Sequence, residues 1–171
     1  MDGKASGYKV FMKKLILLTL VIALLELPTS AKALEGLIKF TGKKDATVFL
    51  EVAVTPEQKS TGLMNRPALA QNRGMVFTFK PARKVTFWMK DTLISLDMIF
   101  INNGKIVKIV KNAIPNQTSI LYPSDFDVTE VVEVNGGFTD MHTIEVGNQV
   151  IFENISDIDY SVKSQLMIVT K

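Results

Sequence analysis

The clearest structural signal in the chain is residues 94–110, which read ISLDMIFINNGKIVKIV. Two apolar segments, 94–101 and 105–110, flank the triplet Asn102-Asn103-Gly104. Because an Asn-Gly pair readily adopts the positive φ angles of a tight turn, this stretch predicts a β-hairpin. Its first segment is almost continuously apolar, which is typical of a strand covered on both faces.

Outside the hairpin, strand signals outnumber helix signals. Thr55-Pro56-Glu57-Gln58 combines a capping hydroxyl with a proline at the first helical position, which predicts a helix to about residue 64. A second short helix is predicted at 138–142, after Asn135-Gly136-Gly137. Many short strands with few helices predict a mainly β single domain, either a β-sandwich or a small barrel. The remaining predicted strands are 47–54, 75–79, 85–89 (after a connection at 80–84), 128–134, 143–146, 149–155 and 166–169.

Residues 1–33 have the organisation of a secretory signal. A positive segment with Lys9, Lys13 and Lys14 precedes an apolar run at 15–25, and Ala31-Lys32-Ala33 follows as a small-residue cleavage site. We predict cleavage after Ala33, which leaves residues 34–171 as one periplasmic or secreted domain. The apolar run is shorter than the ~20 residues of a typical spanning helix, which favours cleavage over a membrane anchor. No membrane span is expected after cleavage. An uncleaved N-terminal membrane anchor is the alternative.

Composition narrows the class of protein further. The 171 residues are 47% apolar and 22% charged and include no cysteine, which describes an ordinary folded domain without disulfides or thiol chemistry. Residues 1–33 hold five of the 20 basic and two of the 17 acidic residues, so 15 of each sign remain. A neutral remainder lacks the basic surface that phosphate binding requires, and no nucleic-acid partner is predicted.

Polar side chains enter the apolar framework between residues 85 and 100. On a strand, Trp88 and Lys90 would share one face, opposite the apolar Phe87. Asp97 lies inside an unbroken apolar run, and a buried carboxylate needs a partner or retains its proton. The candidate partners in the sequence are Lys90, Arg66, Arg73 and Arg83.

Five motifs occur in order along the chain: 62–66 (GLMNR), 74–79 (GMVFTF), 87–92 (FWMKDT), 96–100 (LDMIF) and 132–137 (VEVNGG). Together they resemble the domain of unknown function 192 family, over residues 48–150. The resemblance implies a compact, mainly β domain that is often exported and has no established activity.

The preferred hypothesis for function is a small module that binds a polar ligand or a cell-envelope component. One alternative is a hydrolase with Asp97 and Glu133 as an acid/base pair; another is a structural or protein-interaction domain without a small-molecule site. Whether the protein is an enzyme stays open, because the sequence contains one imidazole, His142, and no standard catalytic motif. No metal or cofactor is predicted. The predicted ligand-binding residues, expected to converge in a polar pocket with an aromatic floor, are Arg66, Trp88, Lys90, Asp91, Thr92, Asp97, Glu133 and Asn135.

Overall fold

The computed structural model describes residues 35–41 and 45–155. The predicted signal at 1–33 and the predicted strand at 166–169 lie outside these residues. Two short helices are described, α1 (Pro56–Thr61) and α2 (Phe138–Met141). The strands are β1 (Gly36–Thr41), β2 (Ala46–Ala53), β3 (Arg73–Arg83), β4 (Thr86–Phe87), β5 (Leu96–Asn102), β6 (Lys105–Ala113), β7 (Tyr122–Pro123), β8 (Val128–Asn135) and β9 (Gln149–Glu153).

Seven of these strands close into a barrel in the order β1-β2-β3-β8-β5-β6-β9, with β9 pairing back to β1. The mainly β prediction is confirmed, and the fold is the barrel rather than the sandwich. All neighbours are antiparallel except β2 and β3, which are parallel because α1 and the following loop cross over between them. Strands β4 and β7 form a separate small pair. Neither helix within residues 35–41 and 45–155 has the length and apolar character needed to cross a bilayer.

The local signals with defined turn or capping chemistry are confirmed. The β5–β6 hairpin turns through Asn103 and Gly104, whose φ angles are 48° and 74°. The Thr55 hydroxyl accepts the Gln58 amide at 3.1 Å, and the Gln58 side chain accepts the Thr55 amide at 2.9 Å. Helix α1 ends at Thr61, earlier than predicted, because Gly62 turns the chain with φ 51° and ψ −131°.

Several strand predictions differ from the structure. The strand predicted at 143–146 is wrong, since the chain turns at Thr143 with φ 55°. Of the strand predicted at 85–89, only the two residues of β4 are a strand in the structure. Strand β3 continues to Arg83, so it includes most of the connection predicted at 80–84. Strands β1 and β7 were not predicted.

Two hydrophobic clusters lie on the two faces of the sheet. Every barrel strand contributes to the first cluster, which therefore fills the barrel interior and includes Ile99, Val132 and Val134. The second covers the other face of β3, β5 and β8 with the residues that connect the strands, and it includes Phe77, Met98 and Leu63. Successive side chains along β5 and β8 point alternately to the two faces of the sheet, so each polar side chain on these strands faces one of the two clusters.

Candidate functional site

Asp97 on β5 is fully buried, and its partners are backbone amides and a hydroxyl rather than a cation. Oδ1 accepts the amides of Asn112 at 2.8 Å and Gly137 at 3.1 Å. Oδ2 accepts the amide of Thr139 at 2.9 Å and its hydroxyl at 2.6 Å. None of the four candidate cations, Lys90, Arg66, Arg73 and Arg83, forms an ion pair or hydrogen bond with Asp97, because the start of α2 and the backbone of β6 at Asn112 supply enough donors.

The contacts of Asp97 are those of a capping residue supplied from a distant strand. Helix α2 begins after Gly137, which has no side chain of its own to cap the first amides. Asp97 takes that role and ties the helix to β5 and β6. Its four accepted hydrogen bonds occupy both carboxylate oxygens.

Asp97 and Glu133 lie on opposite faces of the sheet. In the β5–β8 register Asp97 pairs with Val134, whereas Glu133 pairs with Met98. Asp97 shares its face with the barrel interior, and Glu133 shares the outer face with Met98 and Met75. The two carboxyl groups therefore do not face a common site, as an acid/base pair would require.

Glu133 is the unusual carboxyl group on the outer face. The residue is 5% exposed, and no hydrogen bond or ion pair from the described residues reaches its carboxyl oxygens. Because Met75 and Met98 flank it in the register, burial raises the pKa of the Glu133 carboxyl from 4.5 to about 8. At neutral pH this group is mostly an uncharged carboxylic acid, which can both donate and accept a hydrogen bond.

Glu133 lines a small pocket of about 30 Å³ beneath the end of α1. The chain passes over the carboxyl at Gly62, where an added Cβ would lie 3.8 Å from Glu133 Oε2 and 3.4 Å from the Phe77 ring. The positive φ at Gly62 favours glycine, whereas the space around it would admit a Cβ in ordinary van der Waals contact. Three aromatic residues, two threonines and Ser60 share the pocket wall; the lining is Lys59, Ser60, Thr61, Gly62, Leu63, Met64, Phe77, Phe87, Trp88, Thr92 and Glu133.

A larger groove of about 400 Å³ shares part of this lining. Residues common to the two cavities are Lys59, Ser60, Phe77, Phe87 and Trp88. Among the described residues the groove lining contains three cationic residues and no acidic one, an arrangement that favours anionic groups. Its complete lining is Lys59, Ser60, Phe77, Phe79, Arg83, Lys84, Val85, Thr86, Phe87 and Trp88.

The cations and aromatic rings of this region are in contact. Arg83 and Lys59 each lie 5.3 Å from the centre of the Phe79 ring, and Lys59 Nζ also donates to the Thr78 carbonyl at 2.5 Å. Lys90 Nζ lies 5.5 Å from the Trp88 ring, which is 44% exposed at the edge of both cavities. These distances are within the range of cation–π attraction.

The structure brings three of the eight predicted residues, Trp88, Thr92 and Glu133, to the small pocket. Lys90 lies next to this pocket, with its ammonium group over the Trp88 ring. The backbone carbonyl of Asp91 accepts the Asn65 amide at 2.7 Å, and the exposed Asp91 side chain lies outside the pocket lining.

Arg66, Asn135 and Asp97 lie outside the small pocket. The guanidinium of Arg66 pairs with Glu51, with an Nη2–Oε2 distance of 2.7 Å, and lines a neighbouring hollow of about 340 Å³. The Arg66 hydrogen bond lowers the pKa of the Glu51 carboxyl. Asn135 donates to the Leu69 and Ala70 carbonyls and fastens the loop before β3.

Sequence reasoning missed the residues that build the cavities from α1 and from the end of β3. The helix contributes Lys59 and Ser60, and the β3–β4 region contributes Arg83 and Lys84. In the sequence these are ordinary polar residues of a helix and a connection. Only the strand order β3-β8-β5, which brings Phe77 and Glu133 to one face, makes them neighbours.

The fold and the site define a small closed β-barrel with a buried acidic group in a small pocket that shares part of its lining with a cationic groove. The chain matches the family model DUF192, described as Uncharacterized ACR, over residues 38–152, and it belongs to that family.

Solved structures similar to this chain include the following two. One is a "putative transcription regulator" from Sinorhizobium meliloti 1021, with 31% identity, a TM-score of 0.66, and coverage of 69% of this chain and 93% of that chain. The other is a protein of unknown function from Novosphingobium aromaticivorans DSM 12444, with 32% identity, a TM-score of 0.65, and coverage of 67% of this chain and 83% of that chain. The comparison with curated proteins found no match.

Proposed function

We propose that this protein is a small binding module that accommodates a polar ligand in the cationic groove, with the Glu133 carboxyl at the inner end. The observation that carries the proposal is the buried Glu133 side chain, which lines a pocket and has no partner among the described residues. A buried carboxyl whose pKa is strongly raised and which lines a cavity is a feature of functional sites.

The groove has the mixed lining expected of a ligand site. Aromatic side chains form much of the wall, while hydroxyls and cations occupy a few positions from which they can orient a polar molecule. Its volume of about 400 Å³ lies in the range of small-molecule sites. These features support a binding module over a purely structural domain.

The proposal includes an extracytoplasmic location, in which the ligand is a soluble molecule or a cell-envelope component. Its support is the order of charges, apolar run and small residues within residues 1–33. A nucleic-acid partner is not part of the proposal, because the sequence after residue 33 carries equal numbers of basic and acidic residues.

The chain contains a single tryptophan, Trp88, at the edge of the groove, so its fluorescence reports on binding directly. We propose titrating the protein with a panel of monosaccharides, amino acids and dicarboxylates while following the emission spectrum. A ligand that covers the exposed indole is expected to shift the emission to shorter wavelength in a saturable manner. A panel that leaves the spectrum unchanged throughout would count against the binding module.

Two variants on helix α1 distinguish ligand binding in the groove from binding in the neighbouring hollow. Ser60→Phe places a bulky ring at the entrance shared by the groove and the small pocket, and it should abolish the response. Glu57→Phe is the matched control, because Glu57 is also exposed on α1 but lines only the hollow beside Arg66. Loss of the response in Glu57→Phe, with retention in Ser60→Phe, would move the binding site to that hollow.

A further inference from the structure

The small pocket around Glu133 combines the groups that recognise an ammonium ion. Phe77, Phe87 and Trp88 contribute to its wall, together with the Glu133 carboxyl. Aromatic faces attract a cation electrostatically, and a carboxyl supplies the opposite charge once it ionises. The Trp88 ring already contacts one ammonium group, that of Lys90 at 5.5 Å, which shows that it can serve as a cation–π partner.

The size and chemistry of the pocket favour the end of a ligand rather than a ring. Its volume of about 30 Å³ admits a group the size of one water molecule. The Thr92 hydroxyl also lines the pocket and donates its hydrogen to the Lys90 carbonyl at 3.1 Å, so its oxygen lone pairs are left to accept. A compact –NH₃⁺ group, with three donors, matches such acceptors.

The groove outside the pocket favours an anionic group. Neither Arg83 nor Lys84 forms an ion pair with any residue in the described ranges, and no acidic side chain lines the groove. A carboxylate or phosphate placed there would be attracted by both cations.

We propose that the ligand is a zwitterion whose ammonium end enters the Glu133 pocket and whose anionic end lies against Arg83 and Lys84. This inference rests on the proposed binding function and names the ligand class of the same site. Amino acids with the two charges separated by a short chain have this chemistry.

The test uses ε-aminohexanoate as the probe, with Trp88 fluorescence as the readout. Hexanoate, which lacks the amine, and hexylamine, which lacks the carboxylate, are the matched controls. We expect aminohexanoate to bind at least about tenfold more tightly than either, since each control loses one charged contact. Glu133→Gln should remove most of the advantage over hexanoate, and Arg83→Ala combined with Lys84→Ala should remove the advantage over hexylamine.

Isothermal calorimetry supplies a second readout that does not depend on a variant. Glu133 must ionise to pair with an ammonium, and its pKa is about 8, so binding near pH 7 should release close to one proton per ligand. Repeating the titration in two buffers of different ionisation enthalpy measures this number. The other charged residue lining the pocket is Lys59, which donates to the Thr78 carbonyl.

Two outcomes would overturn the ligand class. If hexanoate binds as tightly as aminohexanoate, or binding releases no proton, the ammonium is not recognised by Glu133, while the groove remains a binding site. If aminohexanoate, both controls and the earlier polar panel all leave Trp88 unchanged, the binding function fails together with this inference.

Discussion

Replacing Glu133 by glutamine should stabilise the protein at neutral and alkaline pH. Burial raises the pKa of the Glu133 carboxyl from 4.5 to about 8. At pH values between 4.5 and about 8, Glu133 keeps its proton in the folded chain and has lost it in the unfolded chain. The free energy of unfolding therefore falls by ~1.4 kcal/mol for each unit by which the pH rises through this range. Over the whole interval, at ~1.4 kcal/mol for each pKa unit, the loss amounts to about 5 kcal/mol. Glutamine has nearly the same shape and cannot ionise, so the variant avoids this loss.

The assay is denaturant unfolding of wild type and Glu133→Gln at a series of values from about pH 5 to about pH 9. The stability difference should grow with pH up to about 8 and then level off, because above that value Glu133 is ionised in both states. Glu57→Gln is the control, since this glutamate is exposed on α1. Parallel stability curves for wild type and Glu133→Gln would refute the account of Glu133 as a buried, unpaired acid.

Three further predictions concern other parts of the chain. Asp97→Asn should lower the free energy of unfolding by about 2–4 kcal/mol, because an amide cannot accept all four hydrogen bonds; Asp140→Asn, at an exposed carboxylate, should change it little. Thr55→Ala should cost about 1 kcal/mol in the same assay, through loss of the α1 cap. Mass spectrometry of the protein purified from its native cells should find a chain that begins at Leu34; an intact N-terminus would contradict signal cleavage.

The parts of the fold that follow from local chemistry could be predicted from the sequence. The Asn103-Gly104 turn and the Thr55 capping box each depend on residues a few positions apart, and both are confirmed. The prediction at 143–146 failed because its apolar pattern competes with a left-handed turn at Thr143, which directly follows α2. Strand β1 begins three residues after the predicted signal cleavage site, and no strand was predicted in that part of the mature chain.

The candidate site was less accessible to sequence reasoning, because it depends on pairing between distant strands. The β5–β8 register places Asp97 and Glu133 on opposite faces, although both are carboxylates inside apolar runs. Asp97 found its partners in backbone amides, which every sequence contains and which therefore give no signal. Trp88, by contrast, stood out as the single indole on a polar strand face, and it lies at the edge of the groove.

The most direct test of the account is a carbon-13 NMR titration of the Glu133 side-chain carboxyl, assigned by comparison with Glu133→Gln. In the free protein we expect a titration midpoint near pH 8, and saturating ε-aminohexanoate should move that midpoint to lower pH. A midpoint near 4.5, unchanged by the added compound, would show a hydrated surface carboxylate and contradict the buried acid on which the proposed site depends.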